Sequence, residues 1–227
     1  MHEFRPFSTA HAAILLALVA LVALAVGARR RATGDLARRG IDFMFGLANL
    51  AWWVLASALQ VREWDWSRSL PIQVCDLSAI LAAVAMLHGV RWSRAGLYYV
   101  GLGLSIWALL TPDLRDGPSR LQFWIFFLGH GATCGAAVYD LLGRGFRPTW
   151  RDFALAVGLM TAWLTVVLPL NAIYGWNYGY VGNALSETPN RIHFLGPWPW
   201  RVFGLAAGVI AFFALMTLPW RRPQSPP

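Results

Sequence analysis

Few side chains in this sequence can do chemistry, and most of those sit inside apolar runs. Cys75 and Asp76 follow Leu70-Pro71. His130 and Cys134 are one helical turn apart, and His11 and Gln60 lie near the ends of other runs. A thiol and an imidazole together allow nucleophilic acyl transfer. Cys75 would attack an ester carbonyl, while His130 takes the thiol proton and later returns it to the leaving alcohol. A helix that begins at Pro71 puts Cys75 in or just after its first turn, where the partial positive charge favours a thiolate. Asp76 is about 100° round that helix from Cys75. It can orient His11 or His130 as a third member only if the turn is irregular. Cys134 shares a face with His130 and is the rival nucleophile. Against these readings, a single Cys in an apolar helix is most often a small packing residue. A disulfide or a Cys/His metal site is a further alternative, but no C-x-x-C or H-x-x-x-H spacing supports it.

The elements that must position these groups are read from hydropathy. The chain has 227 residues, 57% hydrophobic and 13% charged, with mean hydropathy +0.49. So low a charged share cannot cover a soluble globule. Apolar runs long enough to cross a ~30 Å hydrocarbon core recur along the chain. They are Thr9–Ala28, Ile41–Val61, Ile72–Val90, Ala95–Thr111, Leu121–Leu142, Phe153–Leu170 and Val202–Pro219. The expected fold is all-α: one polytopic membrane bundle over residues 1–227 with seven transmembrane helices. The first run reads as a span and not a removable signal, because Arg29-Arg30-Arg31 follows it instead of preceding it.

Net charge is +8 and every one of the 19 basic residues is Arg. In a soluble chain this would suggest nucleic acid, but twelve of the 19 Arg fall in alternate connections and in the tail. The positive-inside rule then places the N-terminus outside and the C-terminus in the cytoplasm, with no basic stripe left for nucleic acid. Trp64, Trp66, Trp92, Trp150, Trp176, Trp198, Trp200 and Trp220 fall at run ends, where indole prefers the headgroup layer.

On this frame Cys75 is roughly 6 Å, and His130 roughly 13 Å, below the outer boundary at 1.5 Å per residue. His11 lies at similar depth to Cys75. An outward-facing cavity on which Cys75, His130, Asp76, His11 and Gln60 converge is the expectation. His88 and Asp140, near inner ends, read as snorkelling to water. Asn49 reads as an interhelical hydrogen-bond donor. The connection from Asn171 to Arg201 is dense in aromatics, Gly and Pro, and is expected to form a packed cap over the cavity. Arg191 and Arg201 could there hold a lipid phosphate or be solvated. Gly131/Gly135 and Gly204/Gly208 are small-xxx-small pairs that let a neighbouring helix approach.

Several motifs carry a family resemblance. They are Phe7-Ser8-x-x-His11, Leu70-Pro71-x-x-x-Cys75-Asp76 and Phe127-x-x-His130-Gly131, followed by Asn171-x-x-x-Gly175-x-Asn177-Tyr178 and Gly196-Pro197-Trp198-Pro199-Trp200. In that order, from about Phe4 to about Gly204, the chain resembles the YwaF-like bacterial integral membrane proteins, related to animal transmembrane protein 164. The resemblance implies a coenzyme-A-independent acyltransferase that moves an acyl chain from a phospholipid to a lysophospholipid. It also implies a Cys–His pair at Cys75 and His130, with a remoter kinship to membrane lipid hydrolases that use a Thr–His pair. Gln73 stands where the resemblance leads one to expect His, and Trp176 where Thr is expected.

The combined expectation is a phospholipid acyltransferase or lipase-like enzyme of the bacterial inner membrane, without a metal or dissociable cofactor. Cys75, His130 and Asp76 would be catalytic, and His11, Gln73, Asn171, Asn177, Tyr178 and Arg191 would bind substrate. Two other classes compete. A small proton-coupled transporter or channel would use Asp76, His11 and His130 as a relay. A non-catalytic scaffold would use the small-xxx-small faces alone.

Overall fold

The computed structural model describes residues 4–60, 64–112, 114, 116–183 and 194–220. Helices account for every regular element among them. These are α1 (Thr9–Arg31), α2 (Asp35–Gln60), α3 (Val74–His88), α4 (Arg91–Gly96), α5 (Ser105–Leu110), α6 (Leu121–Leu142), α7 (Trp150–Tyr174) and α8 (Trp200–Thr217). The helix starts are capped as the local sequence dictates. The Ser8 hydroxyl accepts the His11 N–H at 3.3 Å to open α1. The Thr149 hydroxyl and the Asp152 carboxylate cap α7 reciprocally. Gly89 (φ 67°) and Gly175 (φ 70°) close α3 and α7 in the left-handed conformation that glycine adopts without a Cβ clash.

Five helices are long and apolar enough to cross a membrane: α1, α2, α6, α7 and α8 with its short 3-10 extension. The two remaining runs of the expected seven differ. The third is a 15-residue helix, α3, about 22 Å long at 1.5 Å per residue. The fourth is interrupted: α4 passes into a π-helical stretch, Leu97–Leu102, and resumes as α5 only at Ser105. Other boundaries move too. α2 starts six residues before Ile41, and α7 continues through Pro169 to Tyr174, which places Asn171 in its last turn.

Helix α6 is the hub. More than half of its apolar window (56%) is buried, against 11% for α1 and for α7. It packs against α1, α2, α3, α5 and the π stretch, while α7 packs on α4 and α8 on α7. Gly131 and Gly135 allow α1 to approach α6. A Cβ on Gly131 would come to 2.6 Å from Leu18, and one on Gly135 to 2.8 Å from Val22. The second small-xxx-small pair has no such role: nothing lies within 4 Å of a Cβ on Gly208.

One end of the bundle, where arginines concentrate, is tied by buried ion pairs. Arg29 and Arg144 meet Asp42 at 2.9 and 3.3 Å, Arg94 and Arg144 meet Asp140 at 2.8 and 3.4 Å, and Arg91 meets Asp152 at 2.6 Å. Asp140 is 1% exposed, so it does not snorkel to water as its position near a run end suggested. The other end carries the α6 start, the α3 start and the segment after α7, and the candidate site lies near it.

Candidate active site

Cys75 is in the first turn of α3, and its sulfur lies 3.2 Å from Nε2 of His130 on α6. The tautomer of His130 follows from its other nitrogen. Nδ1 lies 2.8 Å from the carbonyl oxygen of Phe126, one turn earlier on the same helix, and must donate a proton to it. That carbonyl can accept both its own helical bond and this one, having two lone pairs. Nε2 is therefore left with a lone pair, and the Cys75 thiol donates to it. The Phe126 ring also packs on the imidazole, with centroids 4.5 Å apart. A thiol, an imidazole and the carbonyl that orients it are thus in hydrogen-bonded sequence, an arrangement able to serve nucleophilic catalysis.

The pair opens into a cleft of about 810 Å³, counting its mouth, between α2, α3, α5 and α6. Trp52, Trp53, Ile125 and Phe126 supply much of its wall, and Ser105, Gln122 and Thr133 supply hydroxyl and amide groups. Trp52 donates its indole N–H to the Ile125 carbonyl at 3.3 Å, crossing α6 where a Cβ on Gly129 would meet its Nε1 at 2.8 Å. Across α3 lies a second cleft of about 710 Å³, almost wholly apolar, between α7 and α8. Val74 and Leu104 line the second cleft while their chain neighbours Cys75 and Ser105 line the first. The wall between the two is therefore thin.

Asp76 also lines the Cys75 cleft, but its hydrogen bonds run elsewhere. One carboxylate oxygen accepts the Gln73 N–H at 3.1 Å at the helix start, and the other accepts the Trp53 indole N–H at 3.2 Å. These bonds fix the first turn of α3 and tie it to α2. Gln73 accepts the Gly179 N–H through its side-chain oxygen at 3.0 Å. His11 is 2% exposed and fully engaged. Nδ1 accepts the Phe7 N–H at 3.0 Å, and Nε2 donates to the Leu109 carbonyl at 2.7 Å. Phe4, Phe7 and Phe127 surround its ring. It fastens the start of α1 to the end of α5 and does not line the Cys75 cleft.

Asn171, Asn177 and Tyr178 form one structural knot. The Asn171 amide exchanges two hydrogen bonds with the Tyr178 backbone, at 2.9 and 3.0 Å, as a paired strand would. The Asn177 side chain accepts the Gly182 N–H at 3.0 Å. The Tyr178 hydroxyl donates to the Trp66 carbonyl at 2.7 Å and accepts the Leu70 N–H at 2.9 Å. Burial pushes the phenol pKa up, so it remains a neutral donor and acceptor. Trp163 joins the knot by donating to the Ile72 carbonyl at 2.8 Å. Among the described residues, none of the segment 171–201 lines the Cys75 cleft. The segment's described residues brace the start of α3 and border the apolar cleft; residues 184–193 of the expected cap lie outside the described residues. Arg191 lies outside the described residues. Arg201 is buried and donates to the Gly182 carbonyl.

The two cysteines do not pair. Cys134 is buried, faces the Gly101 carbonyl at 3.7 Å and lines a groove between α1, α5 and α6. Among the described residues, no three His, Cys, Asp or Glu side chains group in a way that could hold a metal ion. The cleft residues absent from the sequence reading are Trp52, Trp53, Ser105, Gln122 and Thr133. The first two had a legible signal: an indole in mid-run needs a hydrogen-bond partner that hydrocarbon does not offer.

In comparison with known proteins, a family model described as the TMEM164 family matches residues 6–217. No curated protein and no solved structure matches the chain.

Proposed function

The chain belongs to the TMEM164 family and is a multi-pass helical membrane protein, and from this premise we propose that it is a lipid acyltransferase or lipase-like enzyme working through a cysteine acyl-enzyme. The observation that carries this reading is the 3.2 Å contact between Cys75 Sγ and the lone pair of His130 Nε2, with Nδ1 held by the Phe126 carbonyl. In the first half-reaction Nε2 takes the thiol proton as sulfur attacks the ester carbonyl of a phospholipid. The C–S bond forms, the C–O bond breaks, and Nε2–H protonates the departing lysophospholipid alcohol. In the second half, an acceptor hydroxyl gives its proton to Nε2 and attacks the thioester. The new ester or free acid leaves, and the thiolate recovers its proton.

The apolar clefts on both sides of α3 offer hydrocarbon surroundings for acyl chains. The cysteine itself carries the acyl group, so no coenzyme A is required. Whether the acceptor is a lysophospholipid or water depends on how completely the cleft excludes water. We read α3 and the interrupted stretch Arg91–Leu110 as two further crossings, which makes seven, with the N-terminus outside and the arginine-rich end in the cytoplasm of a bacterial inner membrane. A membrane-impermeant maleimide should then reach an Arg38→Cys thiol only after permeabilisation.

The test is direct. Purified protein in nanodiscs receives phosphatidylcholine with a radiolabelled acyl chain, and the protein is resolved with and without neutral hydroxylamine. Wild type should carry a hydroxylamine-sensitive label. Cys75→Ala should carry none, and His130→Ala should acylate about 10²–10⁴-fold more slowly, the range for losing a positioned base. Equal labelling of Cys75→Ala overturns the reading.

A further inference from the structure

An acyl transfer needs donors for the negative charge that develops on the carbonyl oxygen, in addition to a nucleophile and a base. Two hydroxyl residues of the cleft that holds Cys75 and His130 lack any other assignment. Ser105 opens α5 directly after the π-helical interruption, and Thr133 lies three residues beyond His130 on α6. Both residues are only 4% exposed, and both line the Cys75 cleft.

Hydroxyls in apolar helices ordinarily bond back to a carbonyl of their own helix. Ser78, Thr161, Thr165 and Thr217 do so here, at 2.7–2.9 Å. Neither Ser105 Oγ nor Thr133 Oγ1 has a hydrogen-bond partner among the described residues. They are not sealed orphans either: the enclosed unpartnered side-chain atoms are Arg94 Nη2 and Arg201 Nε. The opening available to the two hydroxyls is the cleft. For Thr133 the side chain's orientation agrees. A Cβ at Gly101 would come to 3.3 Å from its Cγ2, so its methyl group faces the π stretch and leaves the hydroxyl for another direction.

We propose that Ser105 and Thr133 donate their hydroxyl protons to the carbonyl oxygen of the bound acyl ester, stabilising the oxyanion formed when Cys75 attacks. This rests on the acyl-enzyme reading above. The ligand they recognise is an ester carbonyl, and the charge they meet exists only while the carbon is tetrahedral. An aliphatic hydroxyl is a far weaker acid than a thiol, so Nε2 of His130 takes its proton from Cys75 and the two hydroxyls stay protonated as donors. The interruption of the α4–α5 stretch gains a purpose in the same way. Past the π stretch and two intervening residues, Ser105 opens α5 on the wall of the cleft that also holds the thiol.

The experiment uses full-length protein in nanodiscs and single-turnover acylation, read as hydroxylamine-sensitive label at several lipid concentrations. Ser105→Ala and Thr133→Val should each lower the maximal acylation rate by about 10–10²-fold with the half-saturating concentration nearly unchanged, as expected for a bond made only in the transition state. Thr133→Ser, which keeps the hydroxyl, should stay close to wild type and so guards against a folding defect. A donor phospholipid whose scissile carbonyl oxygen is replaced by sulfur provides a second readout. Wild type should prefer the oxygen ester strongly, and the two variants should lose most of that preference. Unchanged rates in both variants, a change confined to the half-saturating concentration, or a retained oxygen preference would overturn the proposal while leaving Cys75 chemistry intact. Absence of label on wild type would bring down both readings together.

Discussion

The role of a polar side chain in this protein is decided by where its second hydrogen bond goes. His130 and His11 are both imidazoles near one end of the bundle, yet only His130 has a nitrogen free for chemistry. His11 spends one nitrogen on Phe7 and the other on Leu109, so it acts as a clamp. Asp76 shows the same division. Its two oxygens are taken by Gln73 and Trp53, and it positions Cys75 by fixing the turn that carries it. Asp76→Asn keeps an acceptor oxygen for that turn. It should therefore lower the maximal acylation rate less than about 10-fold, whereas loss of a charge-relay carboxylate costs about 10⁴-fold. Single-turnover labelling at saturating lipid distinguishes the two. His130 stood out by residue type, because an ionisable group within an apolar run is costly, whereas Cys75 was favoured over Cys134 through the motifs that carry the family resemblance. Ser105 and Thr133 were not legible, because a hydroxyl in a helix is satisfied at no cost by the carbonyl one turn back.

At the scale of elements, α3 is the piece whose placement makes the site. It is too short to be held by length alone, and its first turn and the residues leading into it are fastened from three directions. Trp53 of α2 reaches Asp76, Trp163 of α7 reaches Ile72, and Tyr178 reaches Leu70. The Asn171–Tyr178 amide exchange holds the last of these in register. Asn171→Ala would leave the Tyr178 N–H buried without its partner, while the carbonyl keeps only the 3.4 Å bond from the Val181 N–H, at a cost of about 1–3 kcal/mol. Denaturation in detergent should show that loss, while Cys75 in the folded fraction still acylates. The knot was visible in the sequence as a dense cluster of aromatic, Asn and Gly residues. Its duty was not visible, since spacing along one loop says nothing about which helix start the loop will grip.

Across the whole molecule, the two ends are built on different physics. The thiol end leaves polar groups open to a cleft, and the arginine end neutralises its carboxylates inside the bundle. Asp42, Asp140 and Asp152 are each buried and paired, linking α1, α2, α4, α6 and α7. The Tyr139 hydroxyl adds a 2.6 Å bond to Asp42. Buried ion pairs add little over apolar packing, but breaking one strands a charge. Asp140→Asn should therefore destabilise by about 3–5 kcal/mol, since Arg94 and Arg144 both lose a partner. Thermal unfolding in detergent checks this. Well below the transition, the initial rate of Cys75 labelling should match wild type, because the network is remote from the cleft.

The sequence by itself determined the helical membrane class and the placement of five long apolar helices, and it narrowed the candidate thiols and imidazoles to a few. Hydropathy, period and the cost of charge in hydrocarbon are local properties that each segment carries alone. Tertiary structure alone decided that Cys75 and His130 meet at 3.2 Å, that Cys134 does not compete, and that Asp140 pairs instead of reaching water. Each of these depends on how neighbouring helices are rotated and how deeply they sit. A shift of one residue turns a helix by about 100° and moves a side chain to another face. Run boundaries read from hydropathy are uncertain by more than that, so contacts between helices stay out of reach until the packing is known.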